Sequence, residues 1–206
     1  MLNYEQKYYQ SGYKFIVGTD EAGRGPLAGP LVAAAVILAP TWQSELINDS
    51  KKLSRKKREL LFSLIYEQAL AVSISIIPPV EVDELNVYRA SQKAMEEAIA
   101  KINHTYDLII SDAMPLPHME KPVEALIKAD AQVLCVAAAS IIAKVTRDRI
   151  MDELAEQYPQ YDFLHNKGYG TPKHLMALHT YGPVRGLHRF SYQPVRNARY
   201  EQLKLF

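Results

Sequence analysis

The apolar positions change period along the chain, and each change marks an element. "KFIVGTD" and "PLVAAAVIL" are strand-length apolar runs. Between them "EAGRGPLAG" supplies the glycines of a turn, so a hairpin entered from a short N-terminal helix is the simplest connection. In "DSKKLSRKKRELLFSLIYEQAL", Ser54 is a candidate N-cap, and Leu60, Leu61, Leu64 and Ile65 recur at helical spacing. "AVSISIIPP" alternates like a half-exposed strand, and "VDELNVYRASQKAMEEAIAKI" predicts one helix. "YDLIISD" is a continuous apolar run, the pattern of a strand covered on both faces. After "AMPLPHMEKP" come a short strand, "VEALIKAD", and the longest helical pattern, from about Ala131 to Gln157. Beyond it one helix is clear, with Thr171 as N-cap, Pro172 at the first helical position and Gly182 as the stop. Polar and aromatic loops are expected around it.

A hairpin followed by strands alternating with helices predicts an α/β domain with a mixed sheet. Residues 1–160 form the expected core and 161–206 a small helical C-terminal extension and tail, together one compact domain. The 206 residues, 48% hydrophobic and 23% charged, suit an ordinary globular protein. The longest apolar run, "PLVAAAVILAP", is about half a membrane span, and no basic-then-apolar leader opens the chain. The single cysteine, Cys135, sits in an apolar stretch; it excludes an internal disulfide framework and fits a reducing cytoplasm.

The net charge of +1 hides segregation. "KKLSRKKR", Lys51 to Arg58, carries six basic residues and no acid. From Phe163 to Tyr200 there are Lys167, Lys173, Arg185, Arg189, Arg196, Arg199 and four histidines, again with no acid. The first run equally suits a solvated helix face. The second is interleaved with Tyr169, Tyr181, Phe190 and Tyr192, as in a nucleic-acid surface.

Four acids stand out. Asp20 and Glu21 adjoin at the end of an apolar strand, Asp112 ends another, and Asp130 opens the long helix. Adjacent strand residues point to opposite faces, so Asp20 and Glu21 converge only where the strand ends or bulges. Ligands gather at strand ends in open α/β sheets, and four carboxylates there would raise one another's pKa unless cations were bound. Oxygen ligands select Mg²⁺ or Mn²⁺ over zinc, and two such ions suit phosphodiester hydrolysis. Asp130 as a helix cap and Asp112 as a turn residue are the plainer alternatives. "GRGPLAG" departs from the dinucleotide fingerprint and lacks the Lys-Ser/Thr of a P-loop; Arg24 is better placed as a donor toward a substrate.

"DEAGRGPLAGP", "DSKKLS", "AAASIIAKVTRDR", "GYGT" and "HRFSY" resemble, in order, the motifs of bacterial ribonuclease HII, over roughly residues 15 to 195. The resemblance implies a ribonuclease H-like fold. It also implies metal-dependent cleavage of RNA in RNA:DNA hybrids and 5′ of single ribonucleotides in duplex DNA, leaving 3′-hydroxyl and 5′-phosphate ends. Asp20, Glu21, Asp112 and Asp130 match the family's metal-binding acids; Gly23, Arg24 and Gly25 match the loop that reads the ribose 2′-hydroxyl. Tyr169 matches the tyrosine that stacks on the sugar beside the junction. Lys51, Ser140 and Lys144 are phosphate-contact candidates, and Ser140, Lys144 and Arg147 share a helical face by spacing. Two departures are "KAD" for the usual "KGD", placing Ala129 before Asp130, and Ser191-Tyr192 for the usual "SF". If the missing glycine served a positive φ, Asp130 would shift. The short segment before "YKFIVGTD" leaves no room for the added N-terminal domain of the ribonuclease HIII type.

The terminal "QLKLF", Gln202 to Phe206, resembles the peptide by which bacterial repair proteins bind the sliding clamp; packing on the protein's own core is the alternative. A monomer is expected. A non-catalytic RNA:DNA binding module and a different two-metal nuclease on the same fold are the competing classes. Persistence of binding in EDTA and cleavage of all-DNA substrates separate them.

Overall fold

The computed structural model describes residues 4–42, 47 and 53–203. The elements in chain order are α1 (Gln6–Gln10), β1 (Ile16–Ala22), β2 (Leu31–Ile37), α2 (Arg55–Gln68), β3 (Ala71–Ile77), α3 (Pro79–Leu85), α4 (Val87–Ala100), β4 (Leu108–Asp112), β5 (Val123–Leu126), α5 (Leu134–Gln157), α6 (Phe163–Asn166), α7 (Pro172–Tyr181) and α8 (Gln193–Leu203). The sheet runs β3-β2-β1-β4-β5. β1 pairs antiparallel with β2, the expected hairpin, and parallel with β4, which pairs parallel with β5. Burial follows strand position: β2 is buried throughout, β1 and β4 nearly so, while the edge strands β3 and β5 are half-exposed over most of their length.

Packing divides the chain into two units discontinuous in sequence. One comprises Met1–Ala22, Val32–Ser75 and Ser91–Val145; the other comprises Gly23–Leu31, Ile76–Ala90 and Thr146–Phe206. The expected boundary at residue 160 lies inside the second unit, which also takes the glycine loop.

In the first unit the opening turn of α5 lies directly on β1. A Cβ at Gly18 would stand 2.3 Å from the Cys135 carbonyl carbon, so only glycine admits this approach. Cys135 is buried, and Val136 to Ala143 are buried on every side of the helix, where alanines permit close packing. Ser54 caps α2 by accepting from the Lys57 N–H; Leu61 and Ile65 are buried, whereas Leu60 faces outward.

The second unit has its own core, including Leu27, Met151, Tyr161, Phe163, Leu178 and Val195. Thr171, Pro172 and Gly182 bound α7 as expected. The loops expected after residue 182 include a further helix, α8, with Val195 and Ala198 buried.

Two sequence expectations are corrected. The single helix from Val82 to Ile102 is two helices, because Asn86 adopts a φ of 64°. Its carboxamide oxygen accepts from the Tyr88 and Arg89 N–H groups, so the break caps the next helix. The long helix begins at Leu134; Asp130 precedes it, in a single 3₁₀ turn over Ala129–Ala131.

Candidate active site

The acids lie at the carboxyl ends of neighbouring parallel strands in the first unit. Thr19 pairs with Ser111, so Asp20 and Asp112 are the next residues on β1 and β4. The register with β2 runs unbroken through Asp20, Glu21 and Ala22, with partners Ala34, Ala33 and Val32. The strand therefore neither ends nor bulges at the acidic pair, contrary to expectation, and the chain departs only after Ala22.

Asp20 is buried, accepts the Glu21 N–H at 2.7 Å and receives a hydrogen bond from Ser140 on α5. Burial, then the negative charges of Glu21 and Asp112, push its carboxyl well above the usual range, despite those hydrogen bonds. The Oε2 atom of Glu21 is also buried. Asp112 Oδ1 accepts the Ala129 N–H at 2.8 Å, which ties Asp112 to the residue before Asp130. Ala129 needs no glycine conformation: the left-handed conformation falls on Lys128, φ 59° and ψ 44°, and Ala129 is buried without it.

This donor set fits a hard divalent cation: all its atoms are oxygens, and its concentrated negative charge opposes ionisation of Asp20. Among the described residues no three His, Cys, Asp or Glu side chains already stand in an arrangement that could hold an ion. Such carboxylates would supply charge and donors rather than a finished coordination shell, and Mg²⁺ sites ordinarily complete theirs with water and substrate phosphate. Lys144 is half-buried on α5; Lys51 lies outside the described residues.

The second unit holds Gly23, Arg24, Gly25 and Tyr169. Gly23 has a φ of 101°, and a Cβ there would meet Arg147 Nε at 2.3 Å, so both conformation and space demand glycine. A Cβ on Gly25 would stand 3.4 Å from the Tyr169 ring, which is itself exposed. The Arg24 side chain is exposed, but its carbonyl accepts from Arg189 Nη1 at 3.0 Å and from the Tyr192 hydroxyl at 2.5 Å. The hydroxyl that distinguishes Tyr192 from the family's usual phenylalanine thus holds this loop.

Sequence reasoning missed what fixes the loop. Arg147 is buried, and it donates to the carbonyls of Pro30 at 2.9 Å, Lys167 at 3.0 Å and Ala28 at 3.1 Å. Arg189, also buried, donates from Nε and Nη2 to the Gly29 carbonyl. Burial and the neighbouring Arg189 charge push Arg147 down to about 10. Arg147, which shares a helical face with Ser140 and Lys144 by spacing, is therefore a brace on backbone.

A buried histidine pair fixes the other side of Tyr169. The Val184 N–H donates to His188 Nδ1 at 3.0 Å, so the neutral His188 ring carries its proton on Nε2. That proton faces His174 Nε2 at 3.2 Å, leaving His174 Nδ1–H to donate to the Tyr169 carbonyl at 2.9 Å. Burial lowers both imidazoles, His188 to about 3, in keeping with two neutral rings.

A mixed sheet in this order, flanked by helices and bearing acids at the ends of its central parallel strands, defines the ribonuclease H-like class of nucleases. The family model described as Ribonuclease HII matches residues 17–195. A Ribonuclease HII of Listeria monocytogenes serotype 4b is 49% identical over 199 residues, covering 97% of this chain and 76% of that protein. The ribonuclease H2 of Pyrococcus horikoshii superposes with a TM-score of 0.78 at 28% identity, covering 92% of this chain and 98% of that one. A ribonuclease HII of Archaeoglobus fulgidus, solved in complex with PCNA, gives 0.73 at 28% identity over 87% of this chain and 95% of that one. The chain belongs to the ribonuclease HII family, and it is a hydrolase, a nuclease of the ribonuclease H type.

Proposed function

We propose that this chain cleaves the RNA strand of RNA:DNA hybrids and incises on the 5′ side of single ribonucleotides embedded in duplex DNA, leaving 5′-phosphate and 3′-hydroxyl ends. The observation that carries the reading is Asp20, whose carboxyl is raised by burial and then by the charges of Glu21 and Asp112. Such a group does its work ionised when a cation offsets its neighbours. Asp20, Glu21, Asp112 and Asp130 would hold two Mg²⁺ or Mn²⁺ ions, which would supply Lewis-acid stabilisation of charge on phosphate oxygens and a more acidic water nucleophile. Ser140 orients Asp20 through its hydrogen bond. Arg24 and the backbone of Gly23 and Gly25 engage the ribose 2′-hydroxyl, the group absent from DNA. Tyr169 stacks on the adjoining sugar, while Lys144 and Lys51 contact phosphates and so position the duplex without reading its sequence.

The test is cleavage of three end-labelled substrates in Mg²⁺: a long hybrid, a duplex with one ribonucleotide, and the all-DNA duplex. The first two should be cut, the second at its ribonucleotide, and EDTA should stop both reactions. Cutting of all-DNA would point instead to another nuclease specificity. Binding of the hybrid without cutting would point to a binding module.

Clamp binding through Gln202 to Phe206 is supported by the PCNA complex of the Archaeoglobus relative. Lys204 to Phe206 lie outside the described residues. Removing the last five residues should abolish clamp pull-down while leaving cleavage of short substrates intact; retained pull-down would refute this role.

A further inference from the structure

The turn that carries Asp130 is gripped on both sides by a segment from the start of the chain. Glu5 is 3% exposed, and its carboxylate accepts the Leu134 N–H at 2.6 Å and the N–H of Cys135. These are first-turn amides of α5, which find no acceptor within their own helix. Val133, immediately before the helix, has no side chain that can cap it, so the cap comes from 129 residues away. The Tyr4 N–H adds a bond to the Gln132 carbonyl at 3.3 Å. On the other side, the hydroxyls of Tyr4 and Tyr8 both donate to Glu124 on β5, the first at 2.6 Å, and Lys7 lies 3.8 Å from the same carboxylate. Between these anchors runs the stretch from Leu126 to Leu134, in which left-handed Lys128 leads into the turn of Ala129 and Asp130. Gln132 folds it back by donating to the Ile127 and Lys128 carbonyls.

We propose that residues 4–13 form a strap that sets the position of Asp130, with Glu5 as the positioning residue, and so governs how tightly the acidic set takes up a divalent ion. The proposal rests on the reading of Asp130 as a metal ligand. Capping by a buried carboxylate is an expensive way to start a helix: burial raises Glu5 to about 7, with Tyr9 and Cys135 facing it. What the arrangement fixes is more than the helix end. The turn of α5 that Glu5 holds is the one lying on Gly18, two residues before Asp20, and the same helix presents Ser140 to Asp20. One carboxylate therefore anchors the helix that orients Asp20 and, through its first turn, the chain that leads from Asp130. Groups that orient metal ligands in this indirect way typically change metal affinity by about 10- to 100-fold when removed.

The test measures Mn²⁺ binding to the full chain without substrate, by the electron paramagnetic resonance signal of free Mn²⁺. Glu5→Ala should bind Mn²⁺ about tenfold more weakly, and Glu5→Gln, which returns one acceptor to the helix, should recover most of the loss. The KM for hybrid at saturating Mn²⁺ should stay within about twofold, which separates weakened metal binding from a general loss of structure. Mn²⁺ affinity of Glu5→Ala within about twofold of the parent overturns the proposal. If Glu5→Ala does not fold, the double variant Tyr4→Phe, Tyr8→Phe decides: about threefold weaker binding supports the strap and unchanged binding overturns it. Asp130→Asn tells the two readings apart. If it too binds Mn²⁺ like the parent, the assignment of Asp130 fails; if it binds weakly while Glu5→Ala does not, the strap alone fails.

Discussion

The two units bury opposite charges in opposite ways. In the first, Asp20 lies among carboxylates, and its hydrogen bonds from Ser140 and the Glu21 N–H do not cancel the effect of burial and like charge. In the second, burial and like charge also oppose the Arg147 guanidinium, but backbone carbonyls take up the N–H groups of Arg147 and Arg189. A buried charge that is opposed by its neighbours and not wrapped in this way is open to a ligand of the other sign. A buried charge wrapped in carbonyls is already occupied, and what it fixes is the path of the loop. On the function proposed above, that difference falls between the residues assigned to chemistry and those assigned to recognition.

Each half of that contrast can be broken separately. Asp20→Asn should lower kcat by about 10³-fold, or about 4 kcal/mol in the barrier, while hybrid affinity by gel shift is largely kept. Near-normal kcat in Mg²⁺ would remove Asp20 from the chemistry. Arg147→Met leaves three carbonyls without their donor, and should cost about 3 kcal/mol in urea unfolding and raise the KM for a single-ribonucleotide duplex. Unchanged Mn²⁺ affinity in the same variant is the outcome that keeps the two halves distinct.

Acid should discriminate between the units as well. His188 and His174 are held neutral when folded but protonate near pH 6.5 when unfolded, so the unfolded chain binds more protons as pH falls below that value. For His188, with its folded value near 3, the loss is about 2 kcal/mol by pH 5. The carboxyls of the first unit act in the other direction: Asp20 and Glu5 are raised on folding, so the folded state takes up protons first and gains stability as pH falls. Hydrogen exchange, corrected for intrinsic rates, should therefore show acid opening in the second unit first. The smallest effect is expected from Tyr192→Phe, which removes one hydroxyl from the Arg24 carbonyl while Arg189 remains on it, costing about 0.5 to 1 kcal/mol in urea unfolding.

The parts of the fold legible in the sequence were those with a single physical cause. Continuous apolar runs gave β1, β2 and β4, and the Thr171, Pro172 and Gly182 punctuation gave α7. Asn86 was hidden because it falls inside an unbroken helical period, and only its backbone angle reveals a cap. The helix α8 was hidden because its polar and basic positions outnumber the apolar ones that it buries. Of the candidate acids, Asp20 and Asp112 could be placed at neighbouring strand ends from type and position. Arg147 and Arg189 could not be understood that way, since nothing in the sequence shows that their partners are backbone carbonyls. The histidine relay was hidden for the same reason: His174 and His188 are 14 residues apart, and only folding puts them in line.

Cys135 sits where β1, the strap and the start of α5 meet, and it is the only thiol in the chain. Burial keeps that thiol protonated and out of reach. The thiol lies against Glu5 and Tyr9, so a thiol-reactive probe reaches it when the packing of the strap around it opens, and its labelling rate reports those openings. The protein thus carries a native clock for the fluctuations of its strap, with no label to engineer.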